Sequence, residues 1–203
     1  VSIASANDAA VALAEHVGGS ESVFVAMMNE RAKELGMTNT EFKNACGLDE
    51  PGHVTTARDI SIMSVELAKH EMAFKYTTTW MDSVRNGEFG LTNTNKLVKT
   101  YNGITGLKTG STDEARFCMS ATATRNGMSL CAVVMGCDTG AIRFASAAAL
   151  LDYGFAVFEP YAITDGVELP EITVKFGENE SIKPVFESSP SVLIKKNTEA
   201  IVE

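Results

Sequence analysis

Asn126-Gly127 is the feature that most restricts what this 203-residue chain can fold into. An Asn-Gly pair supplies the two positive φ angles of a type I′ turn, whose twist matches that of the strands it joins. On its N-terminal side, Arg116-Phe117-Cys118-Met119-Ser120-Ala121-Thr122 alternates in character, and Met128 to Cys137 reads as the returning strand. Just upstream, Gly106-Leu107-Lys108-Thr109-Gly110-Ser111-Thr112 reads as the start of a further strand. With a two-residue turn, Cys118 is predicted opposite Met135 and Cys131 opposite Thr122. Cys118 and Cys137 are then only diagonal neighbours, roughly 7–8 Å apart, at or beyond disulfide reach. The four cysteines, Cys46, Cys118, Cys131 and Cys137, lack metal-type spacing. They are read as small core residues, with no metal or other cofactor expected.

Four helices are predicted elsewhere in the first 160 residues, among loops and a stretch without a clean period. Ser5-Ala6-Asn7-Asp8 precedes an Ala-rich stretch from Ala9 to Val17 that Gly18-Gly19 closes. It is predicted to be a short helix buried on most sides, and its place at the chain start suggests missing upstream structure. Ser20 caps a second helix with Phe24, Met27, Met28, Ala32 and Leu35 on one face and Gly36 as its stop. Residues 38–53 have loop composition, and His53 within them is assigned no role. Thr56-Ala57-Arg58-Asp59 resembles a capping box. It opens a third helix that buries Ile60, Met63 and Leu67, with Asp59 read as a cap and dipole residue. Phe74 to Lys99 has no clean period beyond strand fragments around Trp80 to Val84. Asp138 or Thr139 caps a long last helix with Ile142, Ala145, Ala149, Tyr153 and Ala156 on its buried face, ended by Pro160. Helices clustered apart from strands indicate an α+β fold.

At Pro160 the character changes. Ile172, Val174 and Phe176 alternate with polar residues, and Ser191 to Lys196 offers another short strand. Residues 161–203 therefore read as the beginning of a β-rich second domain after a first domain of residues 1–160. A formal net charge of -9 argues against a nucleic-acid partner. No apolar run approaches the ~18 residues of a membrane helix. The first residue is Val1, with no signal-peptide pattern after it.

Two short motifs carry chemistry: Ser5-Ala6-Asn7 near the start and Lys108-Thr109-Gly110 at the predicted strand. A Lys-Thr-Gly alone occurs by chance in roughly one chain in twenty of this length. Together they match two of the three signatures of penicillin-recognising serine enzymes, Ser-x-x-Lys, Ser-x-Asn and Lys-Thr-Gly. Ala6 stands where class A β-lactamases carry aspartate, and a small residue there is usual in carboxypeptidases. Further segments agree in order: Ile3 to Ala14, Met27 to Asn29, Ala32 to Thr40, Gly47-Leu48-Asp49, Thr56 to Asp59 and Leu151 to Phe155. Over residues 1–160 the chain resembles the serine D-alanyl-D-alanine carboxypeptidases, the low-molecular-mass penicillin-binding proteins. The remainder resembles the start of that family's C-terminal β domain.

The resemblance implies helices packed on an antiparallel sheet whose N-terminal part is missing here. It also implies an acyl-enzyme reaction that trims the terminal D-alanine from peptidoglycan stem peptides and is blocked by β-lactams. In those terms Ser5 relays a proton, Asn7 binds the substrate amide or the base lysine, and Lys108 supplies positive charge. Thr109 of the Lys-Thr-Gly110 strand binds the substrate carboxylate, the Ser111 N–H forms half of an oxyanion hole, and Arg143 assists the carboxylate. A glycine after the lysine at a sheet edge also lets a substrate backbone lie alongside. Action outside the cytoplasmic membrane, with peripheral attachment through a C-terminal segment absent here, is implied in the same way.

No Ser-x-x-Lys occurs in the 203 residues. Thr40-Glu41-Phe42-Lys43 and Thr105-Gly106-Leu107-Lys108 have the spacing but fall within other family segments. Three readings stay open: the C-terminal portion of a carboxypeptidase, a related endopeptidase, transpeptidase or β-lactamase-like protein, and a non-catalytic stem-peptide binder. On the first, the isolated chain is expected to be inactive.

Overall fold

A computed structural model describes residues 1–164, 167–178 and 180–198. The chain divides into two compact units, Val1–Tyr153 and Gly154–Glu203. The first unit is built on a three-stranded antiparallel sheet of β3 (Ile104–Thr112), β4 (Arg116–Arg125) and β5 (Met128–Cys137), in that spatial order. Asn126 and Gly127 turn β4 into β5 with φ of 49° and 77°, as the Asn-Gly pair dictates. Thr122 pairs with Cys131 as predicted, whereas a bulge between Phe117 and Met119 sets Phe117 opposite Cys137 and shifts Cys118 out of the regular register. All four cysteines are free thiols and only half-buried. The expectation of core cysteines fails because the sheet's inner positions go to Met119, Ala121, Ala123 and Ala132.

Helices α1 (Asn7–Gly18) and α2 (Glu21–Glu34) pack on each other. Gly19 and Gly36 end their chains with φ of 79° each, and Ser20 caps α2 by accepting from the Val23 amide at 3.3 Å. Only Ala14 of α1 is buried, and Leu13 and Val17 are more than half exposed, so the helix is not enclosed on most sides. On α2 the predicted face is right at Ala32, while Met27 is 45% exposed.

Helix α3 (Ala57–Leu67) lies against β5 and β4. Thr56 caps it by accepting from the Asp59 amide at 3.1 Å. Asp59 does more than cap: it is buried, and one carboxylate oxygen accepts from the Asn39 amide and the Thr40 hydroxyl, both at 2.8 Å. The segment between α2 and α3 is thereby clasped to the helix, and a Glu41–Val54 bridge closes its base. Ile60, Met63 and Leu67 border an open cleft, so Leu67 stays 41% exposed.

Helix α4 (Glu71–Thr77), the hairpin β1 (Met81–Val84) with β2 (Phe89–Thr92), and the short α5 (Leu97–Thr100) occupy the stretch without a clean period. They are held by amides: Asn93 Nδ2 donates to the Thr77 and Thr79 carbonyls, and its Oδ1 accepts from the Asn95 amide at 2.8 Å. Thr77 leans on β3. Its hydroxyl donates to the Thr105 carbonyl at 2.7 Å, and its side chain sits where a Cβ on Gly106 would be, at 2.6 Å.

Helix α6 (Gly140–Val157) begins where Thr139 accepts from the Ile142 amide at 3.2 Å. Its buried positions are Arg143, Ala147, Leu151 and Gly154, three or four apart, while Ile142 and Tyr153 are 46% and 61% exposed. The predicted inward face is thus the outward one. The helix is apolar on every side, and its single early charge, Arg143, turns inward because it finds carbonyls and aromatic rings there. At 18 residues and a mean hydropathy of 1.2, α6 reaches the length and composition of a membrane span, although Arg143 and Asp152 interrupt its apolar run.

In the second unit, β6 (Phe158–Ala162) pairs with β9 (Ser191–Lys195), and β7 (Ile172–Thr173) with β8 (Ser181–Ile182). The expected strand through Phe176 stops at Thr173, and Phe176 itself turns with φ of 65° and is fully exposed.

Two substitutions test how the first unit holds its pieces. Gly106→Ala places a methyl on Thr77 at a φ of 138°, and should lower unfolding free energy in urea by about 3 kcal/mol. Asp59→Ala removes the acceptor of the Asn39 amide and one of two partners of the Thr40 hydroxyl, and should cost about 1–2 kcal/mol in the same measurement. A wild-type midpoint for either variant would disprove the corresponding contact.

Candidate active site

Strand β3 is an edge of the sheet, and its open side carries Lys108-Thr109-Gly110. The alternation of the strand buries Leu107 and Thr109 and leaves Lys108 half-buried and Gly110 and Ser111 exposed. Lys108 Nζ donates to Ser5 Oγ at 2.7 Å and to the carbonyl of Thr109 at 2.6 Å. The first bond joins residues 103 positions apart and brings the two motifs into one site.

Ser5 is held in an uncommon backbone state. Its φ of 57° lies in the left-handed region, which a non-glycine side chain enters at a cost. Its amide donates to the Val1 carbonyl at 3.0 Å, and two residues earlier the Ile3 carbonyl accepts from the Thr94 amide at 3.0 Å. Asn7 is the first residue of α1. It is exposed, and its side chain has no hydrogen-bond partner among the described residues. Thr109, 6% exposed, donates its hydroxyl to Thr94 Oγ1 at 2.8 Å.

Arg143 stands behind β3. Its Nη1 donates to the Gly110 carbonyl at 3.0 Å and to the Cys118 carbonyl at 3.4 Å, and its guanidinium lies over the rings of Phe144 and Phe117. Nε is buried without a partner. The structure therefore brings Ser5, Lys108 and Thr109 together through hydrogen bonds and ties Arg143 to Gly110. No bond joins Asn7 to the group. Burial pushes the Lys108 ammonium below the ordinary lysine pKa, and the positive charge of Arg143 pushes in the same direction. Burial likewise lowers that of Arg143.

Lys108, Thr109, Gly110 and Ser111 line a cleft of about 750 Å³. Its far wall is apolar, with Ile60, Met63 and Val133, and its rim carries Asp49, Glu50 and Glu114. Asp49 accepts from the Glu114 amide at 3.3 Å, which links the loop before α3 to the β3–β4 turn. The arrangement offers a cation, a hydroxyl donor and exposed strand backbone on one side of an apolar trough. That combination suits a carboxylate-ended peptide and holds no set of residues arranged to take a metal among those described.

Thr94 is the site residue that the sequence reading missed. It sits between two buried amides, Asn93 at 3% and Asn95 at 1% exposure. Paired asparagines flanking a hydroxyl, in a stretch with no helical or strand period, were the available signal.

The D-alanyl-D-alanine carboxypeptidase family profile matches residues 1–139. The chain is 42% identical over 200 residues to the D-alanyl-D-alanine carboxypeptidase DacF of Bacillus subtilis, covering 97% of this chain and 51% of that protein. To DacC of Escherichia coli it is 39% identical, over 78% of this chain and 40% of that one. Among solved structures it superposes on penicillin-binding protein 5 of Haemophilus influenzae with a TM-score of 0.78 and 33% identity, over 95% of this chain and 57% of the other. Penicillin-binding protein D2 of Listeria monocytogenes, solved with cefotaxime bound, gives 0.69 and 37%, over 74% and 62%. The chain spans about half the length of the curated relatives it matches. With the two motifs joined at one strand edge and the profile matched across most of the first unit, the chain belongs to the D-alanyl-D-alanine carboxypeptidase family.

Proposed function

We propose that this chain forms the carboxylate-binding and proton-relay side of a serine D-alanyl-D-alanine carboxypeptidase that trims peptidoglycan stem peptides outside the cytoplasmic membrane and binds β-lactams. The observation that carries the reading is the 2.7 Å bond from Lys108 to Ser5 at the edge of the cleft.

In the reaction proposed, a serine hydroxyl attacks the carbonyl of the penultimate D-alanine. The terminal D-alanine leaves as the amine after taking a proton, and water then frees the shortened peptide from the acyl-enzyme. Ser5 suits the proton path because its hydroxyl both accepts from Lys108 and has a proton of its own to pass on. The lowered Lys108 pKa eases that exchange. Lys108 and Thr109 are the proposed receptors of the terminal carboxylate, and the Ser111 N–H is one oxyanion donor. Gly110, without a side chain on an exposed edge, admits the substrate backbone. Arg143 adds charge to the same region and steadies Gly110 by its carbonyl. Asn7, with its amide free, is the proposed contact for the substrate amide. Residues 161–203 are read as the opening of a separate β-rich domain.

Since no Ser-x-x-Lys is present in the 203 residues, the polypeptide alone is expected to bind without turning over. Calorimetry should show reversible binding of a peptide ending in D-Ala-D-Ala, weakened about tenfold or more by Lys108→Ala. The intact mass should be unchanged by penicillin. Release of D-alanine, lost on Lys108→Ala, would show that a nucleophile lies within these residues. Binding that is indifferent to Lys108 would favour a different ligand altogether.

The pH dependence follows from Lys108. Its folded pKa lies below the ordinary 10.5, so the ammonium discharges earlier than a free lysine as pH rises. Affinity for the peptide carboxylate should therefore fall, as pH rises, before pH 10.5. Peptide titrations across that range check this, and a decline only above 10.5 would contradict it.

A further inference from the structure

Thr94 touches both halves of the site, by different atoms. Its amide donates to the Ile3 carbonyl at 3.0 Å, fixing the turn that leads to Ser5. Its hydroxyl oxygen accepts the Thr109 proton at 2.8 Å. A hydroxyl has one proton, and a carboxylate only accepts. The Thr109 proton, spent on Thr94, is therefore the same proton that a bound carboxylate would require.

We propose that Thr94 is a positioning residue that reverses this bond when a carboxylate enters. Thr109 turns its proton to the carboxylate, and the Thr94 hydroxyl donates to Thr109 in its place. The reversal sacrifices no other contact, because the Thr94 proton has no acceptor among the described residues. Thr109 is almost fully buried, so its oxygen gains from keeping a partner in both states. The resulting chain, Thr94 to Thr109 to carboxylate, polarises each bond in the direction of the anion. The neighbours hold Thr94 in place for this. Asn93 is anchored to the Thr77 and Thr79 carbonyls, and the Asn95 side chain accepts from the Leu97 amide at 3.0 Å.

This inference rests on the carboxylate-binding reading above, and the experiment separates the two. The probes are an N-acetylated tripeptide ending in D-Ala-D-Ala and the same peptide as its C-terminal amide, titrated into the 203-residue chain. The wild type should prefer the free acid, and Thr94→Val should reduce that preference about fivefold, the amide losing less because its carbonyl is the weaker acceptor. Thr94→Ser should restore it. On a Thr109→Val background, Thr94→Val should add nothing further. Thr94→Cys, close in size and a weaker donor, should fall between and serves if the valine variant does not fold. An unchanged or increased acid preference in Thr94→Val overturns the reversal but leaves carboxylate binding standing. A wild type with no preference for the acid overturns both.

Discussion

A half-buried ammonium has to be given acceptors, and much of the first unit meets that requirement at Lys108. Its two acceptors are one distant and one local in sequence, Ser5 Oγ 103 positions away and the carbonyl of the adjacent Thr109. Burial and the nearby Arg143 both disfavour the charge, which is why its pKa falls. The folded state thus binds its proton less firmly than the unfolded chain, so the lysine costs stability below its folded pKa, and the cost is relieved as pH rises. A lysine kept at such a position is bought with packing elsewhere. The sheet behind it supplies this: Leu107, Met119, Ala121 and Ala123 are buried to within 3% of full coverage.

Strand β3 bears the site, so its placement has to be fixed from several directions. At one end Thr77 presses on Gly106 and bonds Thr105, an approach that only a residue without Cβ permits. At the other end Arg143 grips the Gly110 carbonyl. Between them the ladder to β4 sets Lys108 opposite Ser120, and the Ser120 hydroxyl meets that of Ser64 on α3 at 2.7 Å in the interior. A buried hydroxyl pair of this kind favours one orientation of helix on sheet, because slippage leaves the buried Ser64 hydroxyl without its partner.

What could be read from the residues followed how local the determinant was. The turn at Asn126-Gly127, the span Met128–Cys137 and the caps at Ser20, Thr56 and Thr139 depend on neighbours within a few positions, and they were legible. The bulge that displaces Cys118 was not, since it depends on how β4 meets the end of β5. Helix α6 was assigned the wrong face because apolar residues surround it. The decisive residue was a charge, and a rule that sends charges outward misplaces one that meets two carbonyls and two aromatic rings. Asp59 was undervalued for a related reason: its capping pattern is local, whereas its clasp on residues 39 and 40 spans 20 positions. The pairing of Ser5 with Lys108 has no signature in periodicity or propensity, and family resemblance was the only route to it.

Thr94 shows how the two motifs can remain coupled across so long a separation. Ser5 occupies a left-handed backbone state that its own side chain disfavours, so the surrounding contacts must over-determine it. Its amide is tied to Val1, its hydroxyl to Lys108, and the turn before it to the Thr94 amide. Two of these three ties lead back to the elements that carry Thr109, one through Lys108 and one through Thr94. Displacement of β3 would therefore loosen Ser5, and relaxation of Ser5 would withdraw an acceptor from Lys108. Strain at one motif and charge burial at the other are each tolerable because the other is in place, which makes the site a single cooperative unit rather than two motifs that happen to meet.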